Sequence, residues 1–131
     1  MKKSKKVVAV FFGLAFLVII VLAIMAFLPK TPNPGNLPNS NELTFYYGIT
    51  CPHCKLVEEW MANNNFTQKV NITQKEVYLN TTNAQELLSV GKFCKLSSKM
   101  IGAVPLVYAN ETCYLGDVDS INFLKTKLGN N

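Results

Sequence analysis

Twenty-two consecutive residues, Val7 to Leu28, carry no charged or strongly polar side chain. As a helix rising 1.5 Å per residue, such a run reaches roughly 33 Å, enough to cross a ~30 Å hydrocarbon layer. Lys2, Lys3, Lys5 and Lys6 precede it. A basic flank of this kind holds the amino terminus in the cytoplasm and sends the rest of the chain to the other side. A cleaved secretory signal is the rival reading, but its apolar core usually runs about 7–15 residues and ends in an A-x-A-like site. Ala23-Ile24-Met25-Ala26 has the wrong spacing for that. A buried helix of a soluble protein is the third reading. The expectation taken is a single-pass, uncleaved signal anchor in the cell membrane, with a short cytoplasmic tip over residues 1–6.

The anchor changes how the charge is read. The formal net charge is +5, every basic residue is lysine, and four of the 13 lysines stand in the tip. Nine lysines then face eight acids in the remainder, and that near-balance offers no footprint for nucleic acid. Residues 29–41 read PKTPNPGNLPNSN and hold four of the six prolines. Such a segment favours extended, solvated backbone at about 3.1 Å per residue, a linker of up to ~40 Å. One domain of about 90 residues, 42–131, is left, small enough that a covalent staple would help it.

Within that domain Leu43 to Tyr47 has strand composition and ends at Gly48. A helix comes next with Leu56, Val57, Trp60 and Met61 on one side, and Asn63-Asn64-Asn65 stops it. Lys75 to Leu79 reads as a second strand. Asn83 is expected to cap a second helix that buries Ala84, Leu87 and Leu88. Leu106–Ala109 and Thr112–Leu115 read as a hairpin about Asn110-Glu111. Asp119 is expected to open a last helix with Ile121, Leu124 and Leu128 inward. The order β-α-β-α-β-β-α implies an α/β fold: a four-stranded mixed sheet with helices on both faces.

Cys51-Pro52-His53-Cys54 falls at the junction of the first strand and first helix. A thiol at a helix amino terminus meets unpaired N–H groups and the positive end of the macrodipole, which favour its thiolate. Pro52 suits the first helical turn, where its missing N–H costs nothing. His53 can place positive charge or a donor beside the sulfur. Stabilising the thiolate stabilises the reduced form, so the corresponding disulfide becomes the stronger oxidant. Cys51 is expected to be the exposed, exchanging sulfur and Cys54 the resolving one. A structural zinc site would need a second cysteine pair at short spacing. Cys94 and Cys113 are too far apart in sequence for that, so neither metal nor cofactor is expected.

Gly48-x-x-Cys51-Pro52-His53-Cys54 after a strand, with Gly102-Ala103-Val104-Pro105 before the third strand, resembles the thioredoxin-like superfamily in its short, glutaredoxin-like form. The resemblance covers residues 42–128. It implies a cis Val104–Pro105 bond packed against the CxxC, and a Val104 backbone that pairs with an extended substrate segment. CPHCKLVEE is also similar to the active-site helix of the DsbA-type periplasmic oxidants, without their large helical insertion. In layout the chain resembles the small anchored or fused partners of vitamin K epoxide reductase-type membrane oxidases. Thioredoxins proper carry a buried Asp six residues before the first cysteine; here that position is Phe45.

Glu58 shares a helical stripe with Cys51 and Cys54. It is placed either to relay a proton to Cys54 or to pair with Lys55 at the surface. Cys94 and Cys113 fit a structural disulfide remote from Cys51; an electron-passing second pair and two free thiols are the other readings. Asn-x-Thr sequons begin at Asn65, Asn71, Asn80 and Asn110, and glycosylation of them depends on the host. The function expected is an extracytoplasmic thiol–disulfide oxidoreductase, donating the Cys51–Cys54 disulfide to secreted or membrane proteins. Its second partner is a membrane redox protein, a quinone-linked oxidase or an electron carrier. The same residues run in reverse would make a reductase or isomerase, and two thiols could instead hold a metal in an anchored binding module.

Overall fold

The computed structural model describes residues 13–24 and 37–129. The chain divides into two units, Met1–Thr31 and Pro32–Asn131. In the first, residues 13–24 form a helix, α1, whose apolar side chains stand exposed. Among the described residues no helix is long and apolar enough to cross a membrane. The remainder of the apolar run (7–12 and 25–28), the basic tip and residues 29–36 lie outside the described residues.

The second unit is built in the order β1 (Thr44–Tyr47), α2 (Pro52–Asn63), α3 (Phe66–Lys69), β2 (Thr73–Glu76), α4 (Thr81–Phe93), β3 (Leu106–Ala109), β4 (Thr112–Leu115) and α5 (Asp117–Leu128). The sheet order is β2-β1-β3-β4. β1 and β2 run parallel, while β1–β3 and β3–β4 are antiparallel. This is the α/β, thioredoxin-like arrangement that the sequence resemblance implied.

Strand alternation sorts the core into two layers. Phe45 and Val107, directly opposed in register, point to one face and pack with Val57 and Met61 of α2, Phe66 of α3 and Leu124 of α5. Tyr46, Leu106 and Tyr108 point to the other face and meet Val77 together with Leu87 and Val90 of α4. The sheet is thereby covered on both sides. The end of the expected linker also joins this unit: Leu37 packs on the second layer, and the Ser40 carbonyl accepts the Asn110 N–H at 3.1 Å.

Several boundaries and buried faces differ from the sequence expectation. Asn80, not Asn83, caps α4; its Oδ1 accepts the Asn83 N–H at 3.1 Å. α4 packs Leu87 and Val90 against the sheet and buries Gly91, leaving Leu88 exposed and Ala84 half-buried. α2 buries Cys54, Val57 and Met61, whereas Leu56 is 48% exposed and Trp60 is half-buried. β2 stops at Glu76 because its partner β1 stops at Tyr47, and the Glu76 carboxylate then takes the Tyr78 and Leu79 N–H groups at 2.7 and 2.8 Å. α3 is too short to show a helical period, yet it seats Phe66 in the core beside Trp60. α5 opens at Asp117, not Asp119, because Gly116 takes a left-handed φ of 89° that turns the chain straight from β4 into the helix. The hairpin stands where its composition put it. Asn110 and Glu111 both hold positive φ (47° and 61°), as a two-residue turn matched to strand twist requires.

Candidate active site

The end of β1 runs into a tight loop in which the Cys51 N–H reaches the Gly48 carbonyl at 3.0 Å. The Tyr78 ring lies against the Gly48 backbone, where any β-carbon would displace it. The Ile49 N–H reaches the Glu76 carboxylate at 3.4 Å. Burial pushes the Glu76 carboxyl up, but its bonds from the N–H groups of Leu79, Tyr78 and Ile49 outweigh that and hold it below the usual range. One carboxylate thus braces the loop that carries the cysteines.

Cys51 occupies the N-cap of α2, with Pro52 in the first turn. The Cys51 sulfur accepts the Cys54 N–H at 3.2 Å, so it meets one of the helix's unpaired donors and the positive end of its dipole. Cys51 and Cys54 are paired as a disulfide, their Cα atoms 5.2 Å apart. Cys54 is fully buried and Cys51 is 6% exposed. The expectation of an exposed Cys51 is therefore corrected: the Val104 carbonyl oxygen sits 3.8 Å from its sulfur and covers it. Val104–Pro105 is a cis peptide bond, and the Gly116 N–H reaches the Pro105 carbonyl at 2.8 Å.

That last bond carries a residue into the site that sequence reasoning missed. It pins the start of α5 beside the CxxC, so that Asp117 meets His53 with Oδ1 and Nδ1 3.3 Å apart. Partial desolvation pushes the Asp117 carboxyl up, but the His53 hydrogen bond and the helix's own N–H groups hold it below the usual range. His53 itself is 69% exposed. The two residues are far apart in sequence, and no local signal joins them. From this end of the site an open groove of about 460 Å³ runs between α2 and α5, lined by Leu56, Trp60, Val118 and Ile121 among others.

Glu58 pairs with Lys55 at 2.9 Å, and among the described residues no hydrogen bond joins it to either active-site cysteine. That pairing raises the Lys55 ammonium's pKa. Cys94, at the C-cap of α4, is bonded to Cys113 of β4, with Cα atoms 6.1 Å apart. Cys113 lies in register with Tyr108, and Tyr108 with Thr44, the end of β1 away from Cys51. On the α4 face the buried Tyr46 hydroxyl bonds Glu86 at 2.5 Å, and Lys75 reaches the same carboxylate oxygen at 2.6 Å. Burial, reinforced by Glu86, pushes the Tyr46 phenol far up, so it remains a donor.

Fold and site together define an α/β protein with a thioredoxin-like sheet and a two-cysteine centre at a helix amino terminus beside a cis proline. No protein-family model and no curated protein matches the chain. Among solved structures it is similar to oxidised glutaredoxin 2 from Chlamydomonas reinhardtii, at 18% identity and a TM-score of 0.47, covering 67% of this chain and 75% of that one. It is also similar to the buckwheat glutaredoxin–glutathione complex, at 14% identity and a TM-score of 0.47, covering 70% of this chain and 82% of that one.

Proposed function

We propose that this chain is a membrane-anchored, extracytoplasmic thiol–disulfide oxidoreductase that donates the Cys51–Cys54 disulfide to secreted or membrane proteins. One observation carries the reading: the Cys51 sulfur stands at the amino terminus of α2, bonded by the Cys54 N–H and set against the Val104 carbonyl. A substrate thiolate attacks the Cys51 sulfur, because Cys54 is fully enclosed. The Cys51–Cys54 bond breaks and Cys54 leaves as a thiolate that takes up a proton. A second substrate thiolate then attacks the substrate sulfur of the mixed disulfide. The substrate disulfide forms, and Cys51 leaves as a thiolate stabilised by the terminus of α2. Two electrons pass from substrate to protein, and the Val104 backbone pairs with the extended substrate around its cysteine.

The 22-residue apolar run behind four lysines, helical and exposed over residues 13–24, supports the anchor and an amino terminus on the cytoplasmic side. A membrane redox protein, a quinone-linked oxidase in the favoured direction, takes the two electrons back. The test is a redox titration of the detergent-solubilised full-length chain against glutathione, read by alkylation. A potential well above the ~−270 mV of thioredoxin supports donation of the disulfide. A value near or below it reverses the direction to a reductase. A Cys51–Cys54 pair that does not exchange with glutathione sinks the reading altogether.

A further inference from the structure

The Gly116–Pro105 bond that anchors α5 also delivers an acid to the mouth of the disulfide. In the oxidised centre Asp117 is the partner of His53. When the centre is reduced, a second anion, the Cys51 thiolate, appears two residues before His53 in the chain and at the amino terminus of the same helix. We propose that Asp117 is a positioning residue that holds His53 in the disulfide form and so restrains the oxidising power of the Cys51–Cys54 pair. The inference rests on the oxidoreductase reading above and adds a determinant of its potential.

The sign depends on which state each contact favours. A His53 held by Asp117 is less available to a thiolate at Cys51, so the reduced form loses part of the support that the imidazole offers. Releasing His53 strengthens that support, lowers the thiol pKa and makes the disulfide the stronger oxidant. The other charged groups near the starts of α2 and α5 do not supply the same contact. Lys55 and Glu58 are joined to each other at 2.9 Å. Glu59 and Lys125 line the groove further along the two helices. Asp119 stands exposed in the first turn of α5, and Tyr114 of β4 stacks on Phe123. Among the described residues, only Asp117 forms a hydrogen bond or ion pair with His53.

The test compares full-length wild type, Asp117→Asn, His53→Ala and the double variant in detergent. Thiolate absorbance against pH and the glutathione equilibrium are the readouts. Asp117→Asn keeps the polar side chain of the first turn, and circular dichroism checks that each variant is folded. The expected result is a lower Cys51 thiol pKa and an equilibrium constant shifted about fivefold toward oxidation of substrate, or about 20 mV. In the His53→Ala background the same substitution should yield less than half of that shift. An Asp117→Asn chain with the wild-type equilibrium overturns the inference while leaving the oxidoreductase reading intact. A shift that persists at full size without His53 also overturns it, because the carboxylate would then act directly. A wild-type centre that never equilibrates with glutathione removes the parent reading and this one with it.

Discussion

The Gly116 N–H donates to the carbonyl of Pro105 at 2.8 Å, and this bond places the beginning of the last helix against the cysteine-bearing loop. Pro105 precedes β3 and Gly116 comes directly after β4, and Leu106 opposes Leu115 in the hairpin between them. The register of the hairpin therefore decides which residue of α5 faces the active site. A one-residue slip would exchange the two faces of the strand and move Asp117 away from His53.

The two active-site cysteines should fail differently. Cys51→Ser removes the sulfur that takes the attack and should abolish exchange. Cys54→Ser removes the buried resolving thiol, so substrate should remain bound to Cys51. Non-reducing electrophoresis after mixing each reduced variant with a disulfide-bonded protein checks this, because a Cys51 thiolate then attacks a substrate sulfur and the other substrate sulfur leaves as a thiolate. Mixed disulfides should accumulate with Cys54→Ser and be absent with Cys51→Ser.

Glu76 should lend the fold an acid-sensitive contribution. Its carboxyl is held below the usual range by backbone N–H groups, against the opposing effect of desolvation. A depressed carboxyl stabilises the folded state above the unfolded-state value of about 4.3, and the contribution fades as pH falls through the lower folded value. Glu76→Gln should therefore lower the urea midpoint more at pH 7 than at pH 3. An equal loss at both pH values would show that the charge is not what matters.

Leu124 is fully buried between α5 and the sheet. Truncation to Ala should cost about 2–5 kcal/mol, combining lost transfer energy with a cavity. Leu56, 48% exposed on α2, should change stability by no more than about 0.5 kcal/mol when truncated. Urea denaturation of the two variants measures the contrast, and comparable losses would contradict the packing described.

The Cys94–Cys113 bond spans a sequence separation of 19 residues. In the chain-entropy account, removing it with a Cys94→Ser, Cys113→Ser pair should cost about 3 kcal/mol. Exchange at Cys51 should persist wherever the variant remains folded, because register places the bond at the far end of β1. A collapse of exchange in the folded double variant would mean that electrons pass between the two pairs.

Legibility tracked the range of the forces involved. The hairpin was readable because Asn110-Glu111 sits between two apolar runs, and turn geometry is a matter of adjacent residues. The start of α2 was readable because Cys51 and Pro52 satisfy helix-terminus chemistry locally. The limits of β2 and α4 differ by a few residues from those their composition suggests, because the end of β1 and the Asn80 cap set them. Leu56 has the spacing of a core residue, but α2 turns Val57 and Met61 toward Phe45 and Val107 of the sheet and leaves Leu56 exposed at the groove beside α5.

The chemistry of Cys51-Pro52-His53-Cys54 returns sharper than spacing alone allowed. Sequence by itself determined that two thiols stand at a helix start, ahead of a Val104-Pro105 pair and behind a lysine-flanked apolar run. Those are statements about neighbours along the chain. Tertiary structure alone decided that Val104 covers Cys51 and that Asp117 takes hold of His53. The reason is physical: both contacts join residues distant in sequence, and only sheet register and helix docking bring them within hydrogen-bonding or van der Waals reach.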